Sequence, residues 1–312
     1  MEKKLRPDNG VGKRFMLSLR RDYQLYLLCL PAVVFILVFE YGSMYGVQLA
    51  FKNFDITKGI WGSPWVGLEH FRRFFGSYQF WILLKNTLVV SIYSVVAGFP
   101  IPIIMALVVN QIRCEPYKKF IQCVTYAPHF ISVVVLGGML IVFLSPSVGI
   151  VNNFLAAIGA ERVYFLGIPS YWKHIFVWSD VWQNTGWNAI IYVAALAGIN
   201  PELYEAARVD GASKLKCILH IDLPGIASTM TILLIMRMGS IMNIGFQKAY
   251  ILQNTLNIDA SEIISTYVYK IGLEQSQFSY STAINLFNSI VNIILLVGAN
   301  AFAKRVGDSS LW

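Results

Sequence analysis

The sequence contains few charged residues. Asp, Glu, Lys and Arg make up only 13% of its 312 residues, whereas they make up about 25% of an average soluble domain. With 56% hydrophobic residues, the chain cannot surround a water-soluble core with a charged surface. The apolar residues instead occur in blocks that match the roughly 20 residues a helix needs to cross a bilayer. We therefore predict an all-α membrane protein.

Cysteine and histidine are also sparse. The four cysteines, Cys29, Cys114, Cys123 and Cys217, show no CxxC spacing, and none falls on the predicted outer side of the membrane. We therefore expect no disulfide and no thiol-bound metal. The four histidines lack the HExxH pairing of metallohydrolases. The sequence predicts no catalytic residue, no metal site and no cofactor held by this chain.

Six apolar segments predict six transmembrane helices. Together they form a predicted permease domain over residues 23–306, between predicted cytoplasmic segments at 1–22 and 307–312. Pro100 and Pro102 should kink the second helix, which is tolerated in membranes when neighbours satisfy the freed carbonyl groups. The six segments lie near residues 23–46, 85–109, 120–144, 172–197, 223–242 and 282–303.

The distribution of positive charge predicts the orientation. The net charge is +8, but seven Lys and Arg residues precede the first apolar segment, which indicates a membrane-orientation signal and no nucleic-acid surface. With both termini in the cytoplasm, 15 cations lie on the inner side and nine on the outer side, Lys248 among the nine. This excess agrees with the positive-inside rule.

The connection between the fourth and fifth segments indicates two short helices joined by a tight turn. Asn-Pro-Glu at 200–202 is a typical helix start, with a capping side chain, a proline at the first position and an acid at the positive end of the helix dipole. Asp210-Gly211 supplies the turn, because glycine adopts a left-handed conformation at little cost. Ser213 can cap the second helix. Such a hairpin either docks on another protein or merely joins two spans.

The same connection resembles the EAA motif of ABC importer permeases that depend on a binding protein. The matching residues and their neighbours in the loop are Glu205, Ala206, Ala207, Asp210, Gly211, Ile221, Leu223 and Pro224. Most of the chain is also similar to the oligosaccharide/polysaccharide branch of the maltose-type permeases. The further matching residues are Trp182, Gly186, Trp187, Ala194, Ala195, Leu196, Glu202, Leu203, Tyr204, Gly245, Phe246, Thr266, Tyr267, Val268, Tyr269, Leu311 and Trp312.

The resemblance implies a type I ABC importer permease fold whose cytoplasmic coupling helix docks on an ATPase, with Glu205 pairing with a cation there. It implies a multi-pass protein of the bacterial cytoplasmic membrane. The implied partners are a second homologous permease, two ATPase subunits that bind ATP and Mg, and an extracytoplasmic solute-binding protein. The cargo would be an oligosaccharide moved by alternating access. The sequence has no GxxxxGK[ST] motif, so ATP must bind to a partner.

The resemblance places the sugar pathway on the helices that flank this loop. On the fourth segment, Asp180, Gln183, Asn184 and Trp187 share one helix face by their spacing. A carboxylate, two amides and an indole suit a pyranose, whose hydroxyls need hydrogen bonds and whose C–H face stacks on aromatic rings. The alternative is that the amides join neighbouring helices and Trp187 only packs.

Arg237 lies in an otherwise apolar part of the fifth segment. An uncompensated arginine near the bilayer centre costs at least about 2.5 kcal/mol, so it needs a partner. At about 1.5 Å per residue, Arg237 and Asp180 lie at similar depth. One hypothesis is that they form an ion pair; the other is that Arg237 binds the carboxylate of an acidic sugar such as a uronate. Ser240, Ile241 and Ile244, which follow Arg237, complete the pathway candidates.

Three asparagines on the sixth segment, Asn285, Asn288 and Asn292, line up on one helix face. Asparagine commonly forms hydrogen bonds between membrane helices. We therefore expect these residues to hold helices together, not to contact cargo.

Two other classes of function remain open from the residues. An integral-membrane enzyme needs catalytic groups converging at one depth, and no serine or cysteine here has an evident histidine partner. An ion-coupled secondary transporter leaves the spacing of the EAA motif unexplained.

Overall fold

A computed structural model describes residues 21–306, which are predominantly helical. The expected segments 1–22 and 307–312 lie outside the described residues, apart from residues 21 and 22. The main helices are α1 (Tyr23–Phe51), α2 (Glu69–Phe75), α3 (Tyr78–Asn110), α4 (Glu115–Phe130), α5 (Val133–Phe143), α6 (Ile150–Ala157), α7 (Pro169–Ala197), α8 (Pro201–Val209), α9 (Lys214–Gly225), α10 (Ala227–Met238), α11 (Phe246–Leu252), α12 (Ile264–Tyr269) and α13 (Phe278–Val306).

The prediction of a helical membrane protein is confirmed. Within residues 21–306, helices α1, α3 and α13 are long and apolar enough to cross a membrane. The pairs α4–α5 and α9–α10 are bent by 94° and 58°, and counting each pair as one span raises the number to five. Helix α7 has 29 residues, about 43 Å at 1.5 Å per residue, but polar residues such as Asp180 and Asn184 lower its hydropathy.

Helix α7 lies at the centre of the bundle and packs against α3, α4 and α11. Its first half contributes Trp172, Phe176 and Val177 to a buried apolar cluster. Its second half contributes Tyr192 and Leu196 to another. Because α7 is packed along its length, it holds the polar side chains between these clusters in fixed positions.

A third buried cluster joins α2 and α3 to α12 and α13. It includes Phe74, Leu83, Ile264 and Ile284. The cluster packs the start of α13 against α3. The loop between α10 and α11 is therefore enclosed between these two helices.

Helix α1 packs differently from the rest. No residue from Tyr23 to Met44 is buried, and the helix packs against α13 through its last turns, Tyr45–Phe51. Such a continuous apolar surface must be covered by lipid or by another protein.

Candidate functional site

The two helices predicted between residues 200 and 224 are present, with the predicted caps. The side chain of Asn200 accepts a hydrogen bond from the backbone N–H of Glu202 at 3.0 Å. The Ser213 hydroxyl accepts one from the N–H of Lys216 at 3.4 Å. Each cap satisfies an N–H group that has no partner within its helix, so both helix starts follow from local sequence.

The turn between α8 and α9 closes around Gly211, which has φ +73°. The N–H of Gly211 donates to the carbonyl of Arg208 at 3.1 Å, and the N–H of Ala212 donates to the carbonyl of Ala207 at 2.8 Å. This pair of bonds is a Schellman motif, which requires a left-handed residue at its centre. A side chain at position 211 would strain the turn.

One side of α8 is open and carries an unpaired acid. Glu205 and Ala206 are exposed, Ala207 is half-buried, and Val209 is 87% exposed. Within residues 21–306, Glu205 forms no ion pair. A charged group flanked by small and apolar side chains is suited to binding a groove on another protein.

The base of the hairpin is anchored by a carboxylate that the motif search missed. Asp222 is fully buried and accepts hydrogen bonds from the Tyr204 hydroxyl and from Nε2 of Gln111, the latter at 3.2 Å. Burial and the Asp222 carboxylate raise the pKa of Tyr204 to about 12, so its hydroxyl remains a donor at physiological pH. The neighbouring Ile221 and Leu223 are half-buried, and Leu223 packs on the bundle. Pro224 is exposed.

A cavity of about 140 Å³ lies between α3, α7 and the loop after α10. It brings together five of the eight predicted pathway residues: Asp180, Arg237, Ser240, Ile241 and Ile244. Its other lining residues, which sequence reasoning did not identify, are Ser91, Ser94, Val95, Phe176, Asn243 and Gly245.

The loop that lines this cavity is held by side chains of neighbouring helices. Asn292 accepts a hydrogen bond from the N–H of Met242 at 3.0 Å, and Asn288 donates to the side chain of Asn243 at 2.8 Å. The Ser91 hydroxyl donates to the carbonyl of Ile241. Asn288 and Asn292 thus bond to the loop after α10 and not, as expected, to another helix, and Asn285 is exposed.

Arg237 bonds to backbone carbonyls of α3. Its guanidinium donates to the carbonyls of Ser94 at 3.1 Å and Gly98 at 3.3 Å. The Gly98 carbonyl is free because Pro102, four residues on, has no N–H group. Gly98 also provides the space, since a Cβ there would lie 2.8 Å from Nη2 of Arg237. Within the continuous span of α3, the regular helix is interrupted at Phe99, next to Pro100.

The hypothesis of an Asp180–Arg237 ion pair is therefore wrong. Asp180 pairs with Lys248, whose Nζ lies 3.1 Å from Oδ1. Lys248 is 3% exposed and also lies 4.4 Å from the centre of the Phe176 ring. Sequence reasoning assigned Lys248 to an outer loop and so did not consider it as a partner of Asp180. In the structure Lys248 lies on α11, which packs against α7 within the bundle.

The other three pathway candidates form contacts between helices. Gln183 is buried and donates to the carbonyl of Ile131 at 2.7 Å. Asn184 donates to Asp180 at 3.2 Å and contacts Nδ1 of His129 at 2.9 Å. Trp187 stacks on His129 with ring centres 4.4 Å apart. These contacts match the alternative in which the amides join helices and Trp187 packs.

The known proteins that are similar to this chain agree with one another on its family. Residues 98–308 match the family described as the binding-protein-dependent transport system inner membrane component. Protein LplB of Bacillus subtilis (strain 168) is 40% identical over 303 residues, which cover 97% of this chain and 95% of LplB. The polygalacturonan/rhamnogalacturonan transport system permease protein YteP of the same organism is 40% identical over 300 residues, covering 96% and 94%.

Solved structures agree with these relatives. A chain of a bacterial alginate ABC transporter, in complex with its alginate pentasaccharide-bound periplasmic protein, superposes with a TM-score of 0.87. The identity is 38%, over 96% of this chain and 100% of that chain. The chain therefore belongs to the family of inner membrane components of binding-protein-dependent transport systems, and it is a non-catalytic permease subunit of an ABC importer.

Proposed function

We propose that this permease carries an oligosaccharide from an extracytoplasmic binding protein to the cytoplasm by alternating access. It would pair with a second homologous permease and with two ATPase subunits that bind ATP and Mg. We also propose six spans, with α7 as the span that hydropathy alone does not identify, and cytoplasmic termini. The similarity to complete sugar permeases and the projecting, acid-bearing α8 support this assembly.

We further propose that the cargo is an acidic oligosaccharide containing uronates. YteP is named for polygalacturonan and rhamnogalacturonan, and the structural relative belongs to an alginate transporter. The observation in this chain that carries the proposal is a guanidinium in the cavity with no carboxylate partner among residues 21–306. Arg237 lines the cavity, and its guanidinium donates to the neutral backbone carbonyls of Ser94 and Gly98.

A uronate would supply the missing negative charge. A guanidinium has five N–H donors, and a carboxylate can accept two of them in a bidentate contact. The sugar hydroxyls would meet Ser240 and Asn243 in the same cavity. The Asp180 charge is already neutralised by Lys248, so it does not oppose an anion.

Uptake by whole cells tests this function. Cells that lack the subunit should lose uptake of labelled oligogalacturonate, and the wild-type gene should restore it. Arg237→Gln should lower uptake of oligogalacturonate by about tenfold or more, while Arg237→Lys, which keeps the charge but not the bidentate geometry, should have a smaller effect.

Two controls separate cargo recognition from folding. Membrane insertion and copurification of the ATPase are compared for each variant, because Arg237 also satisfies carbonyl groups of α3. Neutral maltooligosaccharide of equal length serves as a second cargo. Equal uptake of neutral and acidic sugars by the wild type, with an equal loss in Arg237→Gln, would contradict an acidic cargo.

A further inference from the structure

A second cavity, of about 440 Å³, lies between the α8–α9 hairpin and the end of α3. This volume is within the roughly 300–1,000 Å³ typical of small-molecule sites. Three cations line it, Arg113, Arg208 and Lys214, together with the amides of Asn110 and Gln111. They come from two separate parts of the chain, the end of α3 and the hairpin, so only the folded chain brings them together.

Among the residues that the structure describes, no carboxylate lines this cavity. Within residues 21–306, none of the three cations forms an ion pair. The nearby Asp222 is fully buried, does not line the cavity, and is occupied by Tyr204 and Gln111. Three like charges at one cavity repel one another, and an anion between them would remove this repulsion.

We propose that this cavity binds a phosphate-bearing anion, either the headgroup phosphate of an anionic lipid or a free phosphate. Arginine forks and lysine ammonium groups bind phosphate oxygens through charge-assisted hydrogen bonds. Basic pockets between membrane helices on the cytoplasmic side commonly hold lipid headgroups. The inference rests on the proposed function only for the orientation that places the hairpin in the cytoplasm.

An acidic group of the ATPase fits the cavity less well than a phosphate. The residues of α8 that would meet the ATPase, Glu205 and the exposed Val209, do not line the cavity, whereas Tyr204 and Arg208 do. The anion and the ATPase would therefore occupy different faces of α8 at the same time. A bound anion would also tie α8 and α9 to the end of α3, which would stiffen the hairpin.

The binding test uses the full-length chain purified with its partner subunits in neutral detergent. Native mass spectrometry measures how much phosphatidylglycerol the complex retains, with phosphatidylcholine as the neutral lipid. Inorganic phosphate is added separately, and its effect on the melting temperature is recorded. Retention of phosphatidylglycerol identifies a headgroup site, and stabilisation by phosphate in phosphatidylcholine identifies a soluble anion.

Two triple variants decide whether this cavity is the site at which the lipid or the phosphate binds. Removing the three lining charges, as Arg113→Gln, Arg208→Gln and Lys214→Gln, should weaken retention or stabilisation by about tenfold or more. The matched control removes three charges that do not line it, as Lys118→Gln, Lys119→Gln and Lys216→Gln, and should bind like the wild type. Arg113→Lys with Arg208→Lys should keep most of the binding, which checks that folding is intact.

Three results would overturn the proposal. The first is no binding of either probe, and the second is an equal loss in both triple variants or in neither. The third is that the variant of the three lining charges still binds the anion but no longer copurifies with the ATPase. That result would make the cavity an ATPase contact. None of these measurements uses sugar transport, so the result is independent of the cargo in the proposed function. If the proposed orientation is wrong, a membrane-impermeant reagent would label Cys114 from outside the cell. This measurement is separate from the binding test.

Discussion

Two cations near the cavity differ in how they are neutralised. Lys248 is buried, pairs with Asp180 and lies against an aromatic ring. Arg237 is held by the backbone carbonyls of Ser94 and Gly98, the latter freed by Pro102, so its full positive charge remains beside the cavity. In the proposed function, Lys248 would act on cargo indirectly, because it would keep Asp180 from competing for Arg237.

Removal of the Lys248 charge tests this division of roles. In Lys248→Met, Asp180 loses its cation and becomes a competitor for Arg237 in the same cavity. We expect KM for oligogalacturonate uptake to rise by about tenfold, which corresponds to about 1.4 kcal/mol. The second change Asp180→Asn removes the competing charge and should restore most of the affinity.

The matched control for that variant is Lys270→Met. Lys270 forms an ion pair with Glu262 at 2.9 Å and does not line the cavity. Its removal should leave KM unchanged. If Asp180→Asn does not rescue Lys248→Met, Lys248 supports only the packing of α11.

The α8–α9 hairpin shows how a local element is specified by nearby residues. Its caps and its left-handed turn each join residues within five positions of one another. The hydrogen bond from Tyr204 and that from Gln111 to Asp222 then fix the hairpin to the bundle. A rigid attachment is what a coupling element needs if it is to transmit rigid-body motion.

Charge reversal on α8 tests its proposed docking. Glu205→Lys should uncouple transport from ATP hydrolysis, because a cation would then face the cation expected on the ATPase. Sugar uptake should fall while the protein remains inserted, as measured by membrane fractionation and ATPase assay. Glu202→Lys reverses a charge on the same helix at its capped end, and it should retain more coupling. Equal loss in both variants would point to general destabilisation of α8.

The whole molecule is incomplete as a bundle, because α1 lies largely apart from the other described helices. The bent pairs α4–α5 and α9–α10 show that one apolar run can fold into two helices instead of one straight span. The polar helix α7 is the opposite case, since it has neighbours on several sides, Gln183 is buried, and Asp180 and Asn184 are half-buried. A helix packed within protein can cross a bilayer without being uniformly apolar.

Cysteine labelling tests the proposed six-span topology. With Cys29, Cys123 and Cys217 replaced by serine, the exposed Cys114 should react with a membrane-impermeant maleimide only after permeabilisation. Ser147→Cys, in the exposed segment before α6 and in a background that also lacks Cys114, should react in intact cells. Labelling of Cys114 from outside would reverse the proposed orientation.

The sequence by itself determined the membrane class, the helical hairpin at 200–224 and the family, because apolar blocks, caps and a spaced motif depend on neighbouring residues. The tertiary structure decided the partners of the charges. Asp180 meets Lys248 across 68 positions, and Arg237 meets Ser94 and Gly98 across 143 and 139. Helical periodicity places a side chain on a face and at a depth, but the packing of helices distant in sequence selects its partner.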